Sequence, residues 1–256
     1  MKHKHSLRAL AMAAITLGFA SASQADTIAD WTFEKPVYYG TPTSVPYTAD
    51  AGNGTLDIFH SKSGSTYFTA NGPGVGNGSY GSVRTSNWSV GDYYQFSIST
   101  AGFESIVLDW DQTGTGGPLN WALQYSTDGS SFTDFASYQV LENGASTTVV
   151  WTSVGTPNAA YHFSYDLSSI TALNDQEAVY FRLVDTSTTK TVWNNPNGSG
   201  TVSSSGYSWV DNFVVTASPV AAVPEPSTWA LMLIGLGLAA GAARRRRANP
   251  AFSSCR

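Results

Sequence analysis

The feature of this chain that most constrains its fold is a series of short apolar runs between residues 26 and 218. In these runs, β-branched and aromatic residues alternate with polar ones, and Gly, Asn or Asp bounds the run. Alternation with a period of two is typical of half-buried β-strands, whereas an amphipathic helix repeats its apolar residues about every 3.6 positions. No long segment of this region has the helical period. The pattern therefore predicts an all-β domain.

We predict eleven strands in this region. They lie at residues 28–33, 55–60, 66–69, 93–99, 105–110, 120–126, 132–140, 147–153, 160–166, 179–185 and 209–216. Short strands separated by turn residues favour an antiparallel β-sandwich. One short helical turn is expected within residues 167–174, capped by Ser168 or Ser169. The polar, glycine-containing segments 71–81 and 193–206 are predicted to be surface loops.

Two motifs give this domain a family resemblance. Asp128 and Gly129 form the clearest hairpin turn, because glycine supplies the positive φ that a tight turn requires. The hairpin at residues 123–132 and the closing strand at 210–215 resemble the galactose-binding-like jelly-roll family. The resemblance implies a jelly-roll β-sandwich, and it says more about fold than about function.

The charge of the domain limits its partners. Residues 26–223 contain 17 Asp and Glu but only five Lys and Arg, which gives a net charge of −12. Such an acidic surface repels phosphate backbones, so we expect no nucleic-acid binding. The same region contains no cysteine, so its stability must come from packing rather than from disulfides.

The N-terminal 25 residues have the three parts of a secretory signal peptide. A basic segment comes first, an apolar run follows at residues 9–20, and a small-x-small site ends at Ala25. The basic residues are Lys2, Lys4 and Arg8. We predict cleavage between Ala25 and Asp26 and export through the Sec machinery.

The other end of the chain also has three consecutive parts. In the tripeptide Pro224-Glu225-Pro226, the prolines favour an extended backbone around the glutamate. An uncharged apolar run follows at residues 229–243. Such a run inserts into lipid as a helix, and positive residues are retained on the cytoplasmic side. We therefore predict a transmembrane helix followed by a membrane stop of four arginines, Arg244, Arg245, Arg246 and Arg247.

The order of these parts resembles the PEP-CTERM sorting signal of Gram-negative bacteria. The resemblance implies that Pro224, Glu225 and Pro226 are recognised by an exosortase, a membrane-embedded cysteine protease. It also implies a substrate that is held transiently in the inner membrane and then reaches the cell envelope or the extracellular space. The 15-residue apolar run is short, because a rise of about 1.5 Å per residue spans only about 22 Å of a hydrocarbon core of about 30 Å. A marginal span suits a segment that is removed.

These signals divide the chain into four parts. We assign a signal peptide to residues 1–25, the β-sandwich to 26–218, the sorting signal to 219–247 and a short cytoplasmic tail with Cys255 to 248–256. The sandwich is long enough for one domain with a sizeable core.

Few residues of the sandwich suggest catalysis. His60 and His162 are the only histidines between residues 26 and 223, and neither lies in a nucleophile motif. The residues of a catalytic triad come together only in the folded structure, so their spacing in the sequence does not identify one. We predict that the protein is not an enzyme.

Acidic residues offer a second kind of chemistry. Asp109 and Asp111 flank Trp110, so strand alternation sends both carboxylates to one face. Glycosidases use paired carboxylates, and calcium binds clusters of oxygen ligands. Asp109, Asp111 and Asp211, with Asn212, are candidate ligands of a structural calcium ion, the only cofactor considered. The interpretation that we favour is that these are solvated strand-end residues.

Tryptophans are a third group of candidate functional residues, because the CH faces of sugar rings pack on indole rings. Four lie within strand patterns and are assigned to the core: Trp31, Trp110, Trp121 and Trp151. Trp88 and Trp193 lie beside polar loop residues, and we therefore take them as candidate ligand contacts.

Together, these features predict an exported protein of the cell envelope or extracellular matrix with a structural or adhesive role. The alternative is a carbohydrate-binding module that holds exopolysaccharide, and a third, least favoured, hypothesis is a glycan-active enzyme. The expected partners are the Sec machinery, the exosortase and the inner membrane, with polysaccharide added under the alternative.

Overall fold

The computed structural model describes residues 24–34, 46–62, 66–69, 76–146, 148–153, 155–221 and 226–248. In this part of the chain, two antiparallel sheets are followed by one α-helix. Most of the predicted signal peptide lies outside the described residues, as do Pro224, Glu225 and the tail with Cys255.

Seven of the described strands form the first sheet. They are β1 (Asp26–Trp31), β3 (Ala51–Gly52), β5 (Thr66–Thr69), β6 (Ser82–Ser86), β8 (Phe103–Thr115), β11 (His162–Asp166) and β13 (Tyr207–Pro219). The order is β11-β8-β13-β1-β3, and β6 joins β5 to the first part of β13.

The other six described strands form the second sheet. They are β2 (Tyr47–Thr48), β4 (Gly54–Phe59), β7 (Tyr93–Ile98), β9 (Asn120–Ser126), β10 (Thr133–Gln139) and β12 (Val179–Asp185). Their order is β10-β9-β12-β7-β4-β2. The expected antiparallel β-sandwich is confirmed.

Strand β13 organises the first sheet, because it pairs with β8 along one edge and with β6 and then β1 along the other. Its register with β8 shifts between Asp211 and Val214, which marks a β-bulge. Asn212 lies in this bulge with a φ of 49°, a left-handed conformation that asparagine tolerates better than most residues. Bulges of this kind are common beside functional sites.

Aromatic side chains fill the core between the two sheets. Phe96 of the second sheet stacks on Phe213 of the first with ring centroids 3.5 Å apart, and Trp31 packs edge-on against both. Trp110 packs edge-on against Tyr138, and both are buried. The assignment of Trp31, Trp110, Trp121 and Trp151 to buried positions is confirmed.

Most of the strand predictions are confirmed, and β9 and β12 match residue for residue. The strand expected at 147–153 is wrong, because the described residues there form a loop. Trp151 and Val149 of this loop pack with Tyr161 and Trp209. A β-branched, aromatic run therefore covers the first sheet instead of extending it.

The helical turn expected within residues 167–174 is confirmed, as a 3-10 turn at Thr171–Leu173. Its N-cap is Ile170, which makes no side-chain hydrogen bond, so capping by Ser168 or Ser169 is wrong. Strand β6 was not predicted, because its residues are mainly small and polar and lack an apolar alternation.

Helix α1 spans Pro226–Ala248 and includes the apolar run at 229–243. No helix in the described part of the chain is long and apolar enough to cross a membrane. The transmembrane helix predicted at residues 229–243 is thus not shown by the described residues. The uncharged run contains only 15 residues, three of them glycine, before the arginines begin.

Candidate functional site

The sorting segment follows directly after the sandwich. β13 ends at Pro219, and α1 begins at Pro226, a residue suited to the first turn of a helix because no hydrogen-bond partner is needed there. The four predicted stop arginines lie at the C-terminal end of α1, where the helix dipole favours cations. The large apolar side chains described in α1 are 57% to 71% exposed: Leu231, Met232, Leu233, Ile234, Leu236 and Leu238. These side chains are therefore not part of the sandwich core.

A polar cleft lies on the outer face of the first sheet. Trp110 points into the core, so its neighbours Asp109 and Asp111 on β8 face outward, as the alternation predicted. Strand β11 pairs with β8 so that His162 lies opposite Asp111. Strand β13 adds Asn212 from its bulge. Three strands thus bring carboxylate, imidazole and amide groups to one cleft of about 400 Å³.

The cleft side chains contact one another. The Nδ1 atom of His162 lies 3.0 Å from an oxygen of Asp111, and its Nε2 atom lies 3.5 Å from an oxygen of Asp109. Asn212 donates from Nδ2 to the second oxygen of Asp111 over 3.0 Å. The His162 side chain is 46% exposed, whereas that of Asp111 is only 4% exposed. The buried carboxylate therefore orients the more exposed imidazole.

Asp211 lies beneath this cleft and is fully buried. One of its oxygens accepts hydrogen bonds from the backbone N–H of Asn77 over 2.8 Å and from the Ser79 hydroxyl. The other oxygen accepts from the backbone N–H of Asn212 over 2.7 Å. Burial raises the pKa of Asp211 to about 8, the hydrogen bonds oppose this rise, and the charge of Asp111 adds to it. Protein donors surround Asp211, as expected for a buried carboxyl group.

The cleft can offer hydrogen bonds to a polar ligand, since Asp109 and His162 both line it and are partly exposed. The three predicted calcium ligands come together only in part, because Asp109 and Asp111 line the cleft and Asp211 bonds protein donors below it. Among the described residues, no group of three or more His, Cys, Asp and Glu side chains is arranged to hold a metal ion. The calcium site stays a prediction.

Trp88, one of the two candidate ligand contacts, lines a second cavity of about 240 Å³. Its ring is only 4% exposed, and its indole N–H donates to the carbonyl of Thr85 over 2.8 Å. Lys62 and Asp185 also line this cavity. Burial raises the pKa of Asp185 to about 7, an amide hydrogen bond from Ser187 opposes the rise, and the charge of Asp92 adds to it.

His60 and Asp92 lie close to Trp88 and were not predicted to act together. The Nδ1 atom of His60 lies 3.2 Å from an oxygen of Asp92, and its Nε2 atom lies 2.6 Å from the Thr85 hydroxyl. Burial alone would raise the pKa of Asp92, but hydrogen bonds from His60 and from the amides of Ser61 and Ser89 hold it below its usual value. The contact between His60 and Asp92 links the segment after β4 to the segment before β7, beside Trp88.

Sequence reasoning missed Asp92, Asp185 and Asn77 as buried polar residues. Asp185 has a usable signal, since it ends an apolar strand and precedes a run of Ser and Thr residues. Trp193, the second candidate ligand contact, lies in a loop as expected and is 60% exposed. It lines neither of the two cavities described above.

Comparisons with known proteins identify the sorting segment. Residues 222–247 match the family model of the PEP-CTERM protein-sorting motif. No curated protein matches the sequence.

Solved structures resemble the chain only remotely. The carbohydrate-binding module TmCBM27, described as recognising mannan, is 9% identical, and the alignment covers 76% of this chain and 99% of that one with a TM-score of 0.37. The K2 adhesin domain of Lys-gingipain is 16% identical, with 75% and 99% covered and a TM-score of 0.35. TmCBM61, solved in complex with β-1,4-galactotriose, is 8% identical. That alignment covers 53% of this chain and 70% of the other, with a TM-score of 0.29.

At these values, the structural similarities carry no argument about what the chain binds. The sorting motif does indicate where the chain goes, because it is a signal for export and for membrane-anchored processing to the cell envelope. This chain is therefore an exported protein that carries a PEP-CTERM sorting motif, the signal for processing by an exosortase.

Proposed function

We propose that the chain is exported through the Sec machinery after cleavage between Ala25 and Asp26, and is then held at the inner membrane. Exosortase cleavage near Pro224-Glu225-Pro226 would release the sandwich into the envelope or the extracellular matrix. The observation that carries this proposal is the sorting motif at residues 222–247, which begins just after β13 ends at Pro219. A cut near the tripeptide would leave every described strand in the released part.

The positions of both ends in the fold support this scheme. β1 begins at Asp26, the predicted first residue of the mature chain, and it pairs with the last part of β13, with Asp26 opposite Ala217. Removal of both signals would therefore leave the paired ends of the sandwich intact. Inside the host envelope or matrix, we propose a structural or adhesive rather than catalytic role for this acidic, cysteine-free domain.

The experiment is intact-mass and C-terminal peptide analysis of the protein from its native host, with and without the exosortase. We expect a chain that begins at Asp26 and ends near Pro224 only when the exosortase is present. Glu225→Ala should block this processing, whereas Glu177→Ala, at an exposed position of the sandwich, should not. A chain that retains residues 229–247 in the presence of the exosortase would refute the proposal.

A second candidate function is carbohydrate binding, and one observation favours it. The outer face of the second sheet presents the ring of Phe59, which is 47% exposed, beside amide and carboxylate side chains. The test is a pull-down of the processed protein with exopolysaccharide from the same host. Trp88→Ala is a poor reporter, because Trp88 is almost fully buried and its loss would destabilise the fold.

A further inference from the structure

The outer face of the second sheet carries a row of polar side chains. The strand registers place Asp57 opposite Gln95, Gln95 opposite Arg182, Arg182 opposite Gln124, and Gln124 opposite Asp134. These five residues lie on five adjacent strands, from β4 to β10. Neighbouring strands are about 4.8 Å apart, so the row extends over about 19 Å.

An aromatic surface lies beside this row. Phe59 stands opposite Tyr93 on the neighbouring strand, and their rings stack with centroids 5.1 Å apart and an interplanar angle of 17°. Alternate residues of the same strands, Ile58 and Tyr94, are buried in the core, so Phe59 and Tyr93 must point outward. The two rings and the five polar residues form what we call the open face.

The arginine of the open face is held in place by its neighbours. The guanidinium carbon of Arg182 lies 3.8 Å from the ring centroid of Tyr93 and 3.5 Å from that of Phe132. Its Nε donates to Gln95 over 2.8 Å. At the far end of the row, Gln124 donates to Asp134 over 2.8 Å. Side chains that are already ordered lose less conformational entropy when a ligand binds.

We propose that the open face binds a neutral, extended polysaccharide chain that runs across the strands. A sugar ring would pack on the exposed ring of Phe59, and sugar hydroxyl groups would exchange hydrogen bonds with the polar row. The inference rests on the second candidate function, carbohydrate binding, and names its site and ligand class.

Charge and length select this class of ligand. The polar row contains two carboxylates and one guanidinium, and residues 26–223 have a net charge of −12. Polyanions are therefore repelled, whereas neutral hydroxyl groups can accept from the amides and the guanidinium and donate to the carboxylates. A row of about 19 Å has room for several linked sugar rings rather than one.

The test is affinity electrophoresis of the processed protein in gels that contain a neutral polysaccharide, such as xylan, galactomannan or a soluble β-glucan, or the polyuronate alginate. We expect retardation by at least one neutral polysaccharide and none by alginate. Phe59→Ala should weaken binding about tenfold, because exposed aromatic anchors carry much of the energy of such sites. Asp134→Ala should weaken it by a smaller factor.

Tyr80→Ala is the matched control, since Tyr80 is another exposed aromatic residue and lies just before β6 of the first sheet. Its affinity should stay within twofold of the unchanged protein, and circular dichroism should show that all variants are folded. If Tyr80→Ala or Trp193→Ala weakens binding and Phe59→Ala does not, carbohydrate binding stands and the open face is wrong. Retardation by alginate alone would overturn the ligand class. If no polysaccharide retards the protein, carbohydrate binding itself fails.

Discussion

The outer faces of the two sheets differ in how they use polar and aromatic side chains. On the first sheet, residues of the 141–161 segment cover part of the surface, so that Trp209 is buried against Trp151 and Tyr161. Asp211, also on this covered face, takes its hydrogen bonds from protein donors. On the second sheet, the open face keeps its rings and polar groups half-buried or exposed.

This contrast separates structural polar groups from groups that are available to a ligand. A buried carboxyl group costs free energy unless protein donors satisfy it, and those donors then leave no room for a ligand. An exposed carboxylate or amide exchanges water for ligand hydroxyl groups at little cost. We therefore expect substitutions on the covered face to change stability and substitutions on the open face to change binding.

The largest difference should come from one aromatic residue on each face. Trp209→Ala should lower the free energy of unfolding by about 3 kcal/mol, because it leaves a cavity against Trp151 and Tyr161. Phe59→Ala should cost less than about 1 kcal/mol, because nearly half of its ring already contacts water. Urea denaturation of both variants measures the difference. Equal losses would show that the two faces are equally structural.

A carboxylate from each face gives the next comparison. Asp211→Ala should cost about 2.5 kcal/mol, because the Asn77 amide and the Ser79 hydroxyl lose their buried acceptor. Asp134→Ala should change stability by less than about 0.5 kcal/mol, since its side chain is exposed. Thermal and urea unfolding report both values. A small loss for Asp211→Ala would mean that its hydrogen bonds contribute little beyond the cost of burying it.

Two buried carboxyl groups should also make stability depend on pH, Asp211 on the covered face and Asp185 at the end of β12. Burial raises the pKa of Asp211 to about 8 and that of Asp185 to about 7. Between about pH 4, the value of an unfolded aspartate, and these raised values, the folded state binds more protons than the unfolded state, so stability falls as pH rises. Since each such group contributes at most about 1.4 kcal/mol per pH unit, we expect a loss on the order of 2 kcal/mol from pH 6 to pH 7.

The control for this pH dependence is Asp211→Asn, which cannot titrate. Urea midpoints of this variant should fall less between pH 5 and pH 8 than those of the unchanged protein. An identical slope in both proteins would show that Asp211 keeps an ordinary pKa and is ionised throughout this range.

The smallest effect is expected at the rim of the polar cleft. His162→Gln should cost less than about 1 kcal/mol, because the imidazole is half exposed and Asp111 keeps its hydrogen bond from Asn212. Chemical denaturation at neutral pH checks this value. A loss above about 2 kcal/mol would place His162 among the structural groups of the covered face.

Local sequence patterns predicted much of the fold. The alternation of apolar and polar residues identified β9 and β12 to the residue, and it correctly placed Trp110 in the core with Asp109 and Asp111 facing away from it. It failed at residues 147–153, where an apolar run packs on the sheet from a loop. An apolar–polar alternation indicates that a segment buries one of its faces. A loop that covers a sheet can show the same pattern as a strand.

The candidate sites were predictable only in part. Trp88 and Trp193 have similar polar neighbours in the sequence, but one is buried and the other is 60% exposed. The open face was not predicted at all, because Phe59, Arg182 and Gln124 are far apart along the chain. Strand registers bring them together, and no local pattern specifies those registers.

By itself, the sequence determined the sorting signal of this protein and the class of its fold. The sorting motif is contiguous, and strand alternation is a local property of the backbone, so both can be read without coordinates. Only the tertiary structure decided which polar residues became structural. Asp111 and Asp211 are one hundred residues apart, yet β8 and β13 place them opposite each other. Long-range pairing of strands buries some of these groups and leaves others open to solvent, because each residue's exposure depends on neighbours that are distant in the chain.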